Sequence, residues 1–203
     1  MNRAEKLSRD FYLGNDVVAL AKALIGKVLC TQINGIYTSG KIVETEAYCG
    51  ATDKACHAHL NRRTKRTQIM FGNGGFAYVY LCYGIHHLFN LVTNTEDNAD
   101  AILIRAIEPL EGKDAMMARR NLKKIEYRLT AGPGVMSSAL GISTKHYGTD
   151  LTGNTIWIED HKENIRPENL IASPRVGIDY AEEDALLPWR FRLANNPWCS
   201  KAK

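Results

Sequence analysis

The dipeptide Asn34-Gly35 separates two runs of strand-forming residues, Val28–Ile33 and Ile36–Tyr48. Asn-Gly is the strongest short-range signal for a two-residue hairpin, because both central positions of the favoured turn need positive φ. A turn so placed fixes the register of both strands and therefore the face on which each side chain lies. Side chains alternate along a strand, so Glu44, Glu46 and Tyr48 share one face and Val43, Thr45 and Ala47 the other. Two acids on one face of a long strand call for a partner or a task. They stand roughly 6.5–7 Å apart along the strand, and periodicity alone does not choose between them.

The remaining pattern alternates short strands with helices. Asn15 caps an amphipathic helix over residues 16–26, closed by Gly26. A polar, basic stretch over residues 50–68, with His57 and His59, reads as a long loop of the kind that carries function. Residues 76–83 and 85–92 form two strands joined at Gly84, and residues 101–107 a further strand ending at Glu108-Pro109. A helix over residues 114–122, a glycine-rich segment at Ala131-Gly132-Pro133-Gly134 and a short helix over residues 135–140 follow. Short strands are expected at residues 155–159, 175–178 and 190–193. The expected fold is α+β: a single compact domain over residues 1–203, with a mixed, largely antiparallel sheet, flanking helices and a protruding β-hairpin.

The chain has 26 basic and 22 acidic residues, a net charge of +4, which tolerates a polyanionic partner without requiring one. Basic residues gather at Arg62-Arg63-Thr64-Lys65-Arg66 and around Arg119, Arg120, Lys123 and Lys124. Neither a signal-type apolar stretch after the charged start Met1 to Lys6 nor a membrane-length apolar run is visible, so an intracellular protein is expected. Five scattered cysteines without a Cys-x-x-Cys pair point to reduced thiols. The glycine-rich segments lack the Gly-Lys-Ser/Thr ending of a phosphate-binding loop.

Two features bear on chemistry. Arg105 is a cation inside the apolar run Leu103-Ile104-Arg105-Ala106, costly to bury unless it pairs with an acid such as Glu44 or faces a polar cleft. Tyr83, beside Gly84 at an exposed turn, is hard to explain by folding and reads as a contact residue. Taken alone, Tyr78 and Tyr80 are ordinary strand formers, and Tyr78 is assigned to the core.

The segment Lys41 to Tyr48, then Asp53, His57, Tyr78-Val79-Tyr80, Tyr83-Gly84, Asn90 and Leu103-Ile104-Arg105-Ala106, resembles the 3-methyladenine, or alkyladenine, DNA glycosylase family. The resemblance runs from about the first helix to Asn196-Pro197-Trp198. It implies excision of alkylated or deaminated purines, such as 3-methyladenine, 7-methylguanine, hypoxanthine and ethenoadenine, from duplex DNA. It also selects Glu46 as the water-activating carboxylate and puts Arg105 beside it. Tyr48, His57 and Tyr80 then hold the base, and the Asn90 carboxamide crowds the amino group of guanine. Tyr83 fills the vacated stack with Ile85 beside it, and Arg62, Arg63, Lys65 and Arg66 meet phosphates. A metal site, a cofactor and the activated lysine that bifunctional, strand-cleaving glycosylases use are not expected, and the enzyme is expected to act as a monomer. Two other classes stand beside this reading. One is a non-catalytic binder of damaged or single-stranded nucleic acid. The other is a metal-dependent hydrolase using His57, His59, His86 and His87, which no standard ligand spacing supports.

Overall fold

In a computed structural model the described residues are 4–201, so Met1, Asn2 and Arg3 of the charged start, and Ala202 and Lys203, lie outside them. In chain order the elements are β1 (Glu5–Lys6), α1 (Arg9–Tyr12), α2 (Val17–Ala23), β2 (Val28–Ile33), β3 (Ile36–Tyr48), β4 (Ala77–Cys82), β5 (His86–Thr93) and β6 (Asp100–Glu111). They continue with α3 (Lys113–Arg119), α4 (Pro133–Leu140), β7 (Ile156–Asp160), β8 (Leu170–Ser173) and β9 (Arg190–Leu193), with short 3-10 turns between.

The hairpin expected from Asn34-Gly35 forms as the sequence reads. Asn34 has φ 53° and Gly35 φ 76°, and β2 pairs with β3 from Ile33↔Ile36 back to Val28↔Lys41. From there β3 forks. Its first half pairs with β2, its second half with β9 through Glu44↔Arg192, Thr45↔Phe191 and Glu46↔Arg190. On its other edge β3 pairs with β6 along its length. The sheet runs β1-β7-β2-β3-β6-β5-β4, with β9 attached to β3 and β8 to β9. Every ladder among the described residues is antiparallel. The architecture is α+β in one compact domain, as expected.

Helix α2 packs on β3, and α4 on β5 and β6. Between helices and sheet lies a core that includes Leu24, Leu29, Ile42, Phe89, Leu91, Ile102, Ile104, Ile107, Met116, Met136, Leu140 and Phe191. Thr45 faces α2 and donates from its hydroxyl to the Ala21 carbonyl at 2.9 Å. The opposite face of β3 is therefore free to carry Glu44, Glu46 and Tyr48 elsewhere.

Several boundaries differ from the sequence reading. The cap of α2 is Asp16, whose carboxylate accepts from Ala19 N, and the helix ends at Ala23, before Gly26. Strand β6 runs through Pro109 to Glu111. β5 pairs with β6 only between Asn90↔Leu103 and Thr93↔Asp100, so no β5 ladder bond is asked of the missing proline N–H. Helix α4 starts at Pro133, a residue suited to a first turn because its absent donor would have no partner there. Residues 175–178 form no strand; the buried ion pair of Arg175 with Asp53 holds that segment as a loop against the start of the 50–68 loop. Leu170–Ser173, expected as loop, is a strand beside β9.

Candidate active site

The ladder between β3 and β6 is irregular where the two acids sit. Ile42 pairs with Ile107, Glu44 with Ala106 and Thr45 with Ile104, which leaves Val43 and Arg105 without a partner in this register. Such an offset re-aims a side chain out of the regular pleat. Here it brings Arg105 between the two carboxylates: Nε donates to Glu44 Oε1 at 2.8 Å, and Nη1 lies 3.2 Å from Glu46 Oε1. Burial opposes the charge on Arg105, but Glu46 and then Glu44 outweigh it and hold its pKa above the ordinary value.

Glu44 and Glu46 are both fully buried yet differ in surroundings. Glu44 is saturated: Oε1 also accepts from Arg190 Nε at 2.7 Å and the Ser200 hydroxyl at 2.8 Å, and Oε2 from Ser200 N at 2.6 Å. Glu46 accepts from Val176 N at 2.9 Å and from the Tyr48 hydroxyl at 2.8 Å, and it opens onto a cavity of about 660 Å³. Geometry thus separates two residues that strand periodicity leaves equivalent.

That cavity is walled by β3, β4, β5, β6, the start of α4, the 50–68 loop and the segment around Val176. Tyr48, His57, Tyr80, Asn90, Arg105 and Glu46 all line it. Tyr48 has the Arg175 guanidinium over its ring, 4.7 Å from the centroid. Burial first, then the neighbouring Glu46, pushes the Tyr48 phenol well above its usual pKa, so it stays a donor. His57 and Tyr80 meet edge to face at 4.8 Å between centroids. Burial and the nearby Arg66 charge push the His57 imidazole down to about 4, so it is neutral near pH 7. Tyr78 is buried in the core as expected, but it also lines the cavity, with its hydroxyl 2.8 Å from His57 Nδ1. Asn90 is 4% exposed and donates from Nδ2 to the Tyr78 and Leu88 carbonyls, which ties down the amide nitrogen and turns the oxygen to the remaining side.

At the cavity rim β4 and β5 are joined by Tyr83, Gly84 and Ile85. Tyr83 is 89% and Ile85 71% exposed. Tyr83 has φ 52° and Gly84 φ 73°, nearly the angles of Asn34 and Gly35, and Ile85 N donates to the Cys82 carbonyl at 3.2 Å. Two successive positive φ angles are thus built once from Asn-Gly, in a two-residue connection, and once with a bulky aromatic in the left-handed region, in a three-residue one. Among the described residues no three of His, Cys, Asp and Glu gather as a metal-ligand set, and no helix is long and apolar enough to cross a membrane.

The family profile described as methylpurine-DNA glycosylase matches residues 10–197. The chain belongs to that family. Proteins carrying the name "Putative 3-methyladenine DNA glycosylase" are similar to it over nearly their whole length. One from Chlamydia felis is 48% identical over 92% of this chain and 95% of its own. Another from Clostridium tetani is 44% identical over 97% and 99% respectively. A third from Bacillus mycoides is 45% identical over 94% and 97%.

In this member of the methylpurine-DNA glycosylase family not every sequence-predicted residue joins the cavity. Arg62, Arg63 and Lys65 are exposed outside it, and Arg63 pairs with Asp97 and covers the Phe71 ring. Arg66 is exposed as they are, but it also lines the cavity. Arg119 donates to the Ala139 carbonyl at 2.9 Å near the end of α4, while Lys123 and Lys124 are exposed. Sequence reasoning missed Arg175, Val176, Arg190 and Ser200. Arg175 holds Asp53 through two contacts, at 2.5 and 2.8 Å, while Arg190 and Ser200 hold Glu44. These contacts join residues more than 120 positions apart, so no local spacing announces them.

Because Arg105 and Arg190 share the Glu44 carboxylate, Glu44→Ala strips compensation from two buried cations. Urea unfolding of this variant is expected to show a loss of about 3–5 kcal/mol. A change below about 1 kcal/mol, the scale of an exposed pair, would mean that the cluster does not hold the fold.

Proposed function

We propose that the protein is a monofunctional DNA glycosylase: it extrudes an alkylated or deaminated purine from duplex DNA into this cavity and hydrolyses the N-glycosidic bond. The observation that carries the reading is Glu46, a fully buried carboxylate with unfilled acceptor capacity at the floor of an aromatic cavity. An ionised carboxylate offers about four acceptor positions. Val176 N, Arg105 and the Tyr48 hydroxyl account for three contacts, leaving room for a water.

The chemistry follows from that arrangement. Cleavage of a nucleoside C–N bond passes through an oxocarbenium-like sugar. Glu46 stabilises the developing positive charge and takes a proton from the water that attacks the sugar carbon, while the base leaves with the bonding electrons. Arg105 holds Glu46 in place through its Nη1 contact with the carboxylate. The purine stacks against Tyr48, His57 and Tyr80; each such contact is worth about 1–3 kcal/mol and is tolerant of base identity. Asn90, with its nitrogen tied to the backbone, directs the carboxamide oxygen at the base. Tyr83 and Ile85 enter the space that the base vacates, offsetting part of the few kcal/mol of unstacking. Arg62, Arg63 and Lys65 contact phosphates without reading sequence. Hydrolysis by water leaves an abasic site and no strand break. The proposed partner is duplex DNA carrying a damaged purine, the acting form a monomer, and the reaction needs no cofactor.

The first test is single-turnover release of free base from a duplex with one hypoxanthine or 3-methyladenine. Wild type is expected to release base in EDTA, and Glu46→Gln to lose at least about 100-fold, as removal of a general base does, while keeping its grip on DNA. Tight binding without release by wild type would favour a non-catalytic binder.

A second expectation comes from the strained turn. Tyr83→Asn gives the left-handed position a residue it prefers, so thermal stability should hold or rise, by up to about 1 kcal/mol, while excision from duplex falls. Unchanged excision would remove Tyr83 from the proposed role.

A further inference from the structure

Arg66 reaches from the basic loop back over the cavity. Its guanidinium lies 4.5 Å from the centroid of Tyr80, and Nε donates to the Tyr78 hydroxyl at 3.1 Å. Nη2 is 2.8 Å from His57 Nε2 and 2.9 Å from Nδ1. The two ring nitrogens point in different directions, so near-equal distances put Nη2 over the imidazole and not end-on to one nitrogen. One cation therefore touches both His57 and Tyr80, whose ring planes stand at 80° to each other.

We propose that Arg66, reaching in from the exposed loop, sits against the Tyr80 ring where a flat purine would stack, and that it must leave when a base enters. This rests on reading the cavity as a base pocket. The contacts that hold Arg66 in place are a neutral imidazole, a phenol oxygen and an aromatic face. None of the ion pairs among the described residues includes Arg66, whereas Arg105 and Arg175 are each locked to a carboxylate. Arg66 is itself exposed, on a loop whose neighbours Arg62 and Lys65 are exposed too. A DNA phosphate offers it a charge-assisted, forked contact stronger than a cation–π contact. Duplex DNA therefore draws the plug out while its own base goes in. A free base has no phosphate to offer and must displace Arg66 unaided.

Removing Arg66 should act with opposite sign on the two ligands. Free base has only a competitor to lose, so its affinity rises; the duplex loses a phosphate contact, so its affinity falls and depends less steeply on salt.

The test titrates free hypoxanthine, followed by nuclear magnetic resonance, and an uncleaved hypoxanthine duplex onto wild type, Arg66→Ala and Arg66→Met. Thermal melting identifies the folded variants, and Arg66→Met keeps the reach of the side chain without its charge. Both variants are expected to bind free base roughly two- to thirty-fold more tightly than wild type, the range set by one cation–π contact, and the duplex more weakly. Equal or weaker free-base binding by a folded variant, with wild type still excising hypoxanthine, overturns the plug and leaves the glycosylase reading standing. Absence of both excision and free-base binding in wild type would bring down the base-pocket reading, and the plug with it.

Discussion

A guanidinium held between two buried carboxylates is the constraint on which the rest of this structure depends. Arg105 leaves the regular pleat of β6 to reach Glu44 and Glu46, and Glu44 is shared in turn with Arg190 and Ser200. With Asp53 and Arg175 the buried cluster sets three carboxylates against three guanidiniums. Burying one such charge alone would cost several kcal/mol, so each member is stable only while its partners stay in place. The cluster ties β3, β6 and β9 to the loop that begins at Gly50 and to the segment at Val176. It thereby builds one wall of the cavity. Stability and site geometry are consequences of the same contacts, with Glu44 closed off by donors and Glu46 left open to the cavity.

The parts of the fold that depend on neighbours in sequence were legible. Asn34-Gly35 announces its hairpin because two successive positive φ angles are a local demand, and the alternation along β3 assigns Glu44, Glu46 and Tyr48 to one face. The boundaries that slipped are those set by tertiary context. Pro109 stays in β6 because β5 ends its pairing short of it, and residues 175–178 give up their β-like pattern to the Asp53–Arg175 pair. Resemblance to the family had already selected Glu46; periodicity had not, and the Arg190 and Ser200 contacts that set Glu44 apart lie about 150 residues away in the chain. Arg66 is exposed like its neighbours, and nothing in Arg62 to Arg66 records which of these side chains also reaches the cavity.

The two turns with paired positive φ make a comparison within one molecule. Asn34-Gly35 follows the preference of the turn and sits at the end of an ordinary hairpin. Tyr83-Gly84 adopts nearly the same angles with a residue that disfavours them, and that residue is among the most exposed aromatics described. A local choice that works against folding, placed beside the cavity mouth, is what a contact surface selected for another molecule looks like. Under the proposed function, that molecule is the duplex from which the base has been withdrawn.

The most direct measurement is a crystal structure of Glu46→Gln bound to a duplex with a single hypoxanthine. The account predicts the base inside the cavity against Tyr48, His57 and Tyr80, its sugar next to residue 46 and Tyr83 in the gap left in the stack. A hypoxanthine still paired and stacked in the helix, with the cavity turned away from the DNA, would contradict it.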